Sequence, residues 1–178
     1  YENISIIARD IAESIVEKYN KIEFYTWVPL NTTYSYLTLK IRTPSADILR
    51  NVDRINQSKS VDTVYTPQEK SYAYRVDSFI ASYPKEVSIL LQTIQIGDVG
   101  ISAIPFEVFA ETGLELKKKS PFKHSFTMGL ANGNWGYLPT PEQHKKGGYE
   151  TWIPLSKVQE DASTLIVAQL LKQLRSLK

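Results

Sequence analysis

Cysteine is absent from the 178 residues, which removes disulfides, thiolate metal sites and a cysteine nucleophile together. Histidine is scarce: His124 and His144 are the two in the chain, and neither has the H-x-H or H-E-x-x-H company of a self-contained metal site. Serines occur without a G-x-S-x-G elbow, and no glycine-rich phosphate loop is present, so nucleophilic triads and nucleotide binding are poor readings. No apolar run approaches the roughly 18 residues that cross a bilayer, and the N-terminus lacks the charged-then-apolar profile of a signal peptide. Compartment is left open. The charge of +2, from 21 basic and 19 acidic residues, is too even for a nucleic-acid footprint. The single tight basic run, Lys117 to Lys119, closes an expected helix, where cations favour the negative end of the helix dipole.

The composition, 42% hydrophobic and 22% charged, is that of one globular domain. Ile4, Ile7, Ile11 and Ile15 recur at helical spacing, which predicts an amphipathic helix over residues 3 to 20. The chain begins at Tyr1 on what reads as a mid-domain helix, so a piece of a longer polypeptide is expected. From Ile22 aromatic and β-branched residues dominate. Pro29 to Thr32 reads as a turn within a half-buried strand pair, with Leu37, Leu39 and Ile41 alternating against Tyr36, Thr38 and Lys40.

Pro44-Ser45 opens a helix through Ile55, Asn56 to Ser60 reads as an exposed polar loop, and Thr66-Pro67 starts a helix with Tyr72, Val76, Phe79 and Ile80 on one face. Val87 to Ile96 is apolar on both faces and suits an interior strand. Gly97-Asp98 then turns tightly into Val99 to Ile104. Pro105 is read as ending that strand and starting a helix over 106 to 119, burying Phe109 and Leu116. His124 to Leu130 is a further strand. A glycine- and proline-rich segment runs from Ala131 to Tyr149, with a helical turn near Pro141, and Asp161 can cap a helix whose Leu165, Leu170, Leu171, Leu174 and Leu177 face the core. Helices and strands alternate without a regular βαβ period, so the fold class is α/β with a mixed sheet.

Three residues stand out for chemistry. Glu107, in Ile104-Pro105-Phe106-Glu107, follows a buried strand in what reads as the first turn of a helix, a position where ligand sites of α/β structures gather. A carboxylate there is equally explained by the helix dipole. Tyr137, in Asn132-Gly133-Asn134-Trp135-Gly136-Tyr137, and Tyr149, after Gly147-Gly148, are twelve positions apart on segments whose glycines allow unusual backbone angles. Taken singly, each is better explained as a packed tyrosine, one of 11 in the chain, and Trp27, Tyr34, Tyr36, Tyr72 and Tyr74 read as core or half-exposed sheet positions. His144 reads as part of a charged, solvated turn.

Taken in order, Gly97-Asp98, Pro105-Phe106-Glu107, Gly129-Leu130-Ala131-Asn132, Gly136-Tyr137, Thr140-Pro141-Glu142 and Gly148-Tyr149-Glu150 resemble the C-terminal half of the catalytic domain of neutral/alkaline ceramidases, over roughly residues 87 to 175. The resemblance implies a single unit over 1–178 that forms part of a zinc-dependent amidohydrolase in a secreted or periplasmic setting. It implies that Glu107 and Tyr137 are two of four zinc ligands, the other two being histidines from the N-terminal half of the polypeptide. It implies that Tyr149 hydrogen-bonds the carbonyl oxygen of an N-acyl amide. The chain departs from the family in having Phe106 where a glycine precedes the glutamate, Val108-Phe109-Ala110 after it, and His144 in place of an aromatic residue. Bulk beside a metal reshapes the substrate entrance, so an amide other than ceramide is a second expectation. A domain that kept the fold and serves as a binding module is a third.

Overall fold

A computed structural model describes residues 2–58 and 65–178. In chain order the elements are α1 (Glu2–Tyr19), β1 (Leu30–Lys40), α2 (Ala46–Gln57), α3 (Pro67–Ser82), β2 (Glu86–Ile96), β3 (Val99–Ala103), β4 (Glu107–Val108), α4 (Ala110–Lys119), β5 (His124–Met128), β6 (Tyr137–Leu138), α5 (Pro141–Lys146), a 3-10 turn at Tyr149–Thr151 and α6 (Ala162–Leu177). A four-stranded sheet has the order β1-β2-β3-β5, and β4 with β6 forms a separate two-stranded ribbon. β1–β2 and β2–β3 are antiparallel, while β3 and β5 are parallel. The architecture is therefore mixed α/β, as the alternation of elements predicts.

The core lies between one face of the sheet and α6. Leu39, Ile89 and Leu91 meet Ile166, Leu170, Leu171 and Leu174 in one buried cluster that Phe106, Leu116 and Phe122 extend. Each such side chain taken from water contributes about 1.5–3 kcal/mol before the cost of ordering it. Gly100 makes the fit possible, because a Cβ there would stand 2.6 Å from the Phe122 ring. A second, smaller cluster of Val52, Ile55, Ala73 and Val76 joins α2 to α3. Both helices start where their caps demand: the Ser45 hydroxyl accepts from the Ile48 amide, and Thr66 forms a reciprocal capping box with Glu69, with Pro67 beside it.

Several expectations change. α1 forms, but its apolar stripe is open, with Ile4 66% and Ile15 61% exposed. Pro29 to Thr32 makes no turn; a single strand of eleven residues runs from Leu30 to Lys40 and pairs with β2 along its whole length. Its Tyr34 and Tyr36 lie on the sheet face away from α6, exposed together with Phe126 and Met128 of the edge strand β5. Trp27 and Tyr74 are also exposed, and Tyr72 and Tyr74 belong to α3 rather than to a sheet. The polar loop expected over Asn56 to Ser60 lies partly outside the described residues; Asn56 and Gln57 close α2 and Ser58 caps it. Ile80 and Leu165 point to solvent, while Ile166 and Val167 take the core positions. Asp161 precedes α6 without capping it through its side chain.

Candidate functional site

Residues 104–108 do not start a helix. They pass through a bend at Pro105–Phe106 into β4, with hydrogen bonds on both sides, and α4 begins only at Ala110. On one side, the Leu130 amide donates to the Phe106 carbonyl at 2.9 Å and the Ala131 amide to the Ile104 carbonyl at 3.1 Å; on the other, the Trp135 amide donates to the Pro105 carbonyl at 2.9 Å and the Glu107 amide to the Gly136 carbonyl at 2.9 Å. Glu107 is thus a strand residue just ahead of α4 rather than a residue of its first turn. Ile104 and Phe106 are fully buried in the core, and Glu107, the first residue of β4, is half-buried.

β4 and β6 run parallel with Glu107 directly opposite Tyr137, and the Tyr137 amide is tied to the Leu155 carbonyl at 3.0 Å. Gly136, with φ of 89°, lets β6 lie against residues 155–156. The negative charge of Glu107 first, then burial, then a side-chain hydrogen bond to Glu107, raise the Tyr137 phenol above its ordinary value, with Tyr149 and Glu150 adding to the same direction. The Tyr149 ring stands 6.2 Å from that of Tyr137 at an interplanar angle of 70°. The three residues that the spacing singled out therefore stand together, beside a cavity of about 470 Å³ lined by Glu107 and Tyr137 together with Phe79, Asn134, Pro154 and Lys157.

The raised phenol gives a titration test. A neutral Tyr137 is favoured by the fold, so its contribution to stability is present below a pH of about 10 and is lost as pH rises through the folded midpoint. Glu107→Gln should move that midpoint down towards the ordinary value, read as the difference in phenolate absorbance between each protein and its Tyr137→Phe partner. An unchanged midpoint would mean that the carboxylate does not act on the phenol.

Residues beyond this trio complete the surroundings. The Tyr149 ring is followed by Trp152 at 5.6 Å and that by Tyr72 at 5.6 Å. Arg42 holds the 149–156 segment in place: its guanidinium donates to the carbonyls of Thr151 at 2.7 Å and Ser156 at 3.2 Å and pairs with Glu160 at 3.4 Å. His144 is half-buried rather than solvated, and its Nδ1 is buried without a hydrogen-bond partner. Burial, and then the Arg42 cation, hold it below the usual imidazole range against an opposing pull from Glu160. Trp152, Arg42 and Arg75 carry no spacing signal that ties them to Glu107. Only the closeness of Trp152 to Tyr149 in sequence could have drawn attention to it.

Among the described residues, no group of three or more His, Cys, Asp or Glu side chains is placed to hold a metal ion, and no helix is long and apolar enough to cross a membrane. No family model matches the chain, and no curated protein does so either. Among solved structures, the neutral ceramidase from Pseudomonas aeruginosa matches with a TM-score of 0.53 at 12% identity, over 84% of this chain and 28% of that one. A ceramidase complexed with C2 matches over 78% of this chain and 20% of that one at 16% identity, with a TM-score of 0.48, too low to add to the comparison. The chain has the fold of part of a neutral ceramidase, and it spans little more than a quarter of the length of the Pseudomonas chain.

Proposed function

We propose that the chain is the C-terminal part of a zinc-dependent amidohydrolase resembling neutral ceramidase, and that residues 1–178 act as one unit of its catalytic domain. The observation that carries the reading is the parallel pairing of Glu107 with Tyr137, which sets a carboxylate and a phenol side by side at an open cavity with Tyr149 beside them. Two oxygens of this kind suit zinc as half of a donor set. In this reading Glu107 and Tyr137 hold the ion, and two histidines from the N-terminal half of the polypeptide complete it. Bound zinc supplies a water whose pKa falls to about 7.

The chain's own residues do the rest. The Glu107 charge pushes the phenol of Tyr137 further towards its protonated form, and zinc, if held by these two oxygens, would favour the phenolate instead. Tyr149, half exposed with its ring 6.2 Å from that of Tyr137, donates its hydroxyl hydrogen to the carbonyl oxygen of the substrate as charge develops there. Phe79, Pro154 and Leu155 give the cavity apolar surface beside the amide. The substrate is an N-acyl amide, either ceramide or a relative.

The test is hydrolysis of a panel of N-acyl amides, ceramide and non-lipid N-acyl sugars and peptides included, by the protein as its gene encodes it. Cleavage of at least one member should fall about a hundredfold or more on Tyr149→Phe, the range for losing an oxyanion donor. Residues 1–178 alone should cleave none. A gene-length protein that binds no metal and cleaves nothing would leave the non-catalytic binding module as the better reading.

A further inference from the structure

β1 forms one edge of the four-stranded sheet and pairs only with β2. The bonds at its two ends show which way its backbone groups face. The Gly97 amide donates to the Pro29 carbonyl and the Ile41 amide donates to the Lys85 carbonyl, both across to the β2 hairpin arm. Antiparallel strands alternate the direction of these groups residue by residue, so the odd-numbered residues of β1 bond to β2 and the even-numbered ones turn their amides and carbonyls to the open side. Lys40 confirms the phase: its amide donates to the Gln159 side chain and its carbonyl accepts from the Gln159 amide. The edge is closed there. Among the described residues, no bond reaches the outward amides and carbonyls of Leu30, Thr32, Tyr34, Tyr36 and Thr38.

Nothing in the sequence guards this stretch. Exposed edge strands are ordinarily blunted by charge, proline or a bulge, yet no charged residue and no proline occurs from Leu30 to Leu39, and the register with β2 runs without interruption. The residues that bond outward also carry their side chains on the face away from α6, where Tyr34 is 65% and Tyr36 67% exposed. Leu37 and Leu39, which bond to β2, lie on the core face.

We infer that β1 pairs antiparallel with β1 of a second copy of this chain, joining two four-stranded sheets into one. The edge presents a row of backbone donors and acceptors, so what it takes is another extended strand. A two-fold axis perpendicular to the sheet makes β1 its own complement: outward-bonding residues meet outward-bonding residues, and both core faces stay on one side. Because Gln159 closes the edge at Lys40, the axis falls near Thr33 and Tyr34, in the middle of the open stretch. The two Tyr34 side chains then stand opposite or diagonal to each other on the outer face, with a Tyr36 ring on either side, a cross-strand aromatic cluster. The pairing is independent of the hydrolase reading.

The experiment is sedimentation velocity of the gene-length protein over about a hundredfold range of concentration, with hydrogen exchange of the β1 amides in parallel. The parent should form a dimer in which the amides of Thr32, Tyr34, Tyr36 and Thr38 exchange slowly. Tyr34→Lys and Tyr34→Glu, each alone, bring like charges together across the axis and should weaken the dimer at least about tenfold. An equal mixture of the two variants should restore it, since unlike charges then face each other. Tyr34 is exposed, so circular dichroism of both variants should match the parent. A parent that stays monomeric at every concentration overturns the inference, and slow exchange of those four amides in such a monomer assigns the edge to a strand of the same polypeptide instead. A dimer that survives Tyr34→Lys, or one that is dissolved by Ile7→Lys/Ile11→Lys on the open stripe of α1, places the contact elsewhere and overturns it too.

Discussion

Gly136→Ala should dismantle the site and strongly destabilise the fold. A Cβ at this position would lie 2.2 Å from the Leu155 carbonyl oxygen, a backbone atom that no rotamer change can move, and the residue adopts a φ of 89°. The strained backbone and the overlap each cost about 1–3 kcal/mol. Relief of the overlap requires β6 to withdraw from residues 155–156, which takes Tyr137 away from Glu107 and breaks the hydrogen bond from the Tyr137 amide to Leu155. Gly147→Ala is the control: φ is 74° there, yet no atom lies within 4 Å of the added carbon. Chemical denaturation of the two variants separates the cost of the angle from that of the contact. Equal, small losses in both would mean that β6 is not held where the structure has it.

Phe106→Ala should cost about 3–5 kcal/mol, the range for emptying a buried phenylalanine site. Phe106 is 0% exposed and belongs to the main core cluster with Leu116, Leu138 and Ile166. The substitution should leave the cavity lining unchanged, because Glu107 lines the cavity and Phe106 does not. Stability should therefore collapse while the preference for the phenol's neutral form, measured at a temperature where the variant is still folded, stays as in the parent. A loss below about 1 kcal/mol would show that the ring is not packed.

Much of this fold can be read without coordinates, and the parts that can share a physical character. α2, α3 and α6 carry their own signals: Ser45 and Thr66-Pro67 mark starts, and the leucines at 170, 171 and 174 mark a buried face, although Leu165 on the same spacing is exposed. β2 and β3 announce themselves by apolar runs around the Gly97-Asp98 turn, with Gly97 at a φ of 57°. β4 and β6 do not, because two residues are too few to show alternation, and their pairing joins positions thirty apart in sequence. Pro105 is a sound helix opener in isolation, but the ladder with residues 128–131 and 135–137 claims the backbone of 104–108 first, so tertiary pairing overrides the local preference. Pro29 misleads in the same way: it reads as a turn but precedes the first residue of a long strand, a position that proline tolerates.

The site divides along the same line. Glu107, Tyr137 and Tyr149 can be picked out because they lie on one short, glycine-punctuated stretch whose order of motifs is distinctive. Arg75 and Lys157 come from α3 and from the segment before α6, and no spacing connects them to that stretch. Their place beside the same cavity follows only from the way the 149–157 segment folds, a placement that Arg42 secures from a third part of the chain.

The central claim is that the Glu107 carboxylate and the Tyr137 phenol serve one cation. Zinc content of the purified gene-length protein, measured by atomic emission for the parent, Glu107→Ala, Tyr137→Phe and Tyr149→Phe, tests it most directly. The account predicts about one zinc per chain in the parent and in Tyr149→Phe, with a loss of at least about tenfold in affinity for each of the other two. A full complement of zinc in both Glu107→Ala and Tyr137→Phe would contradict it.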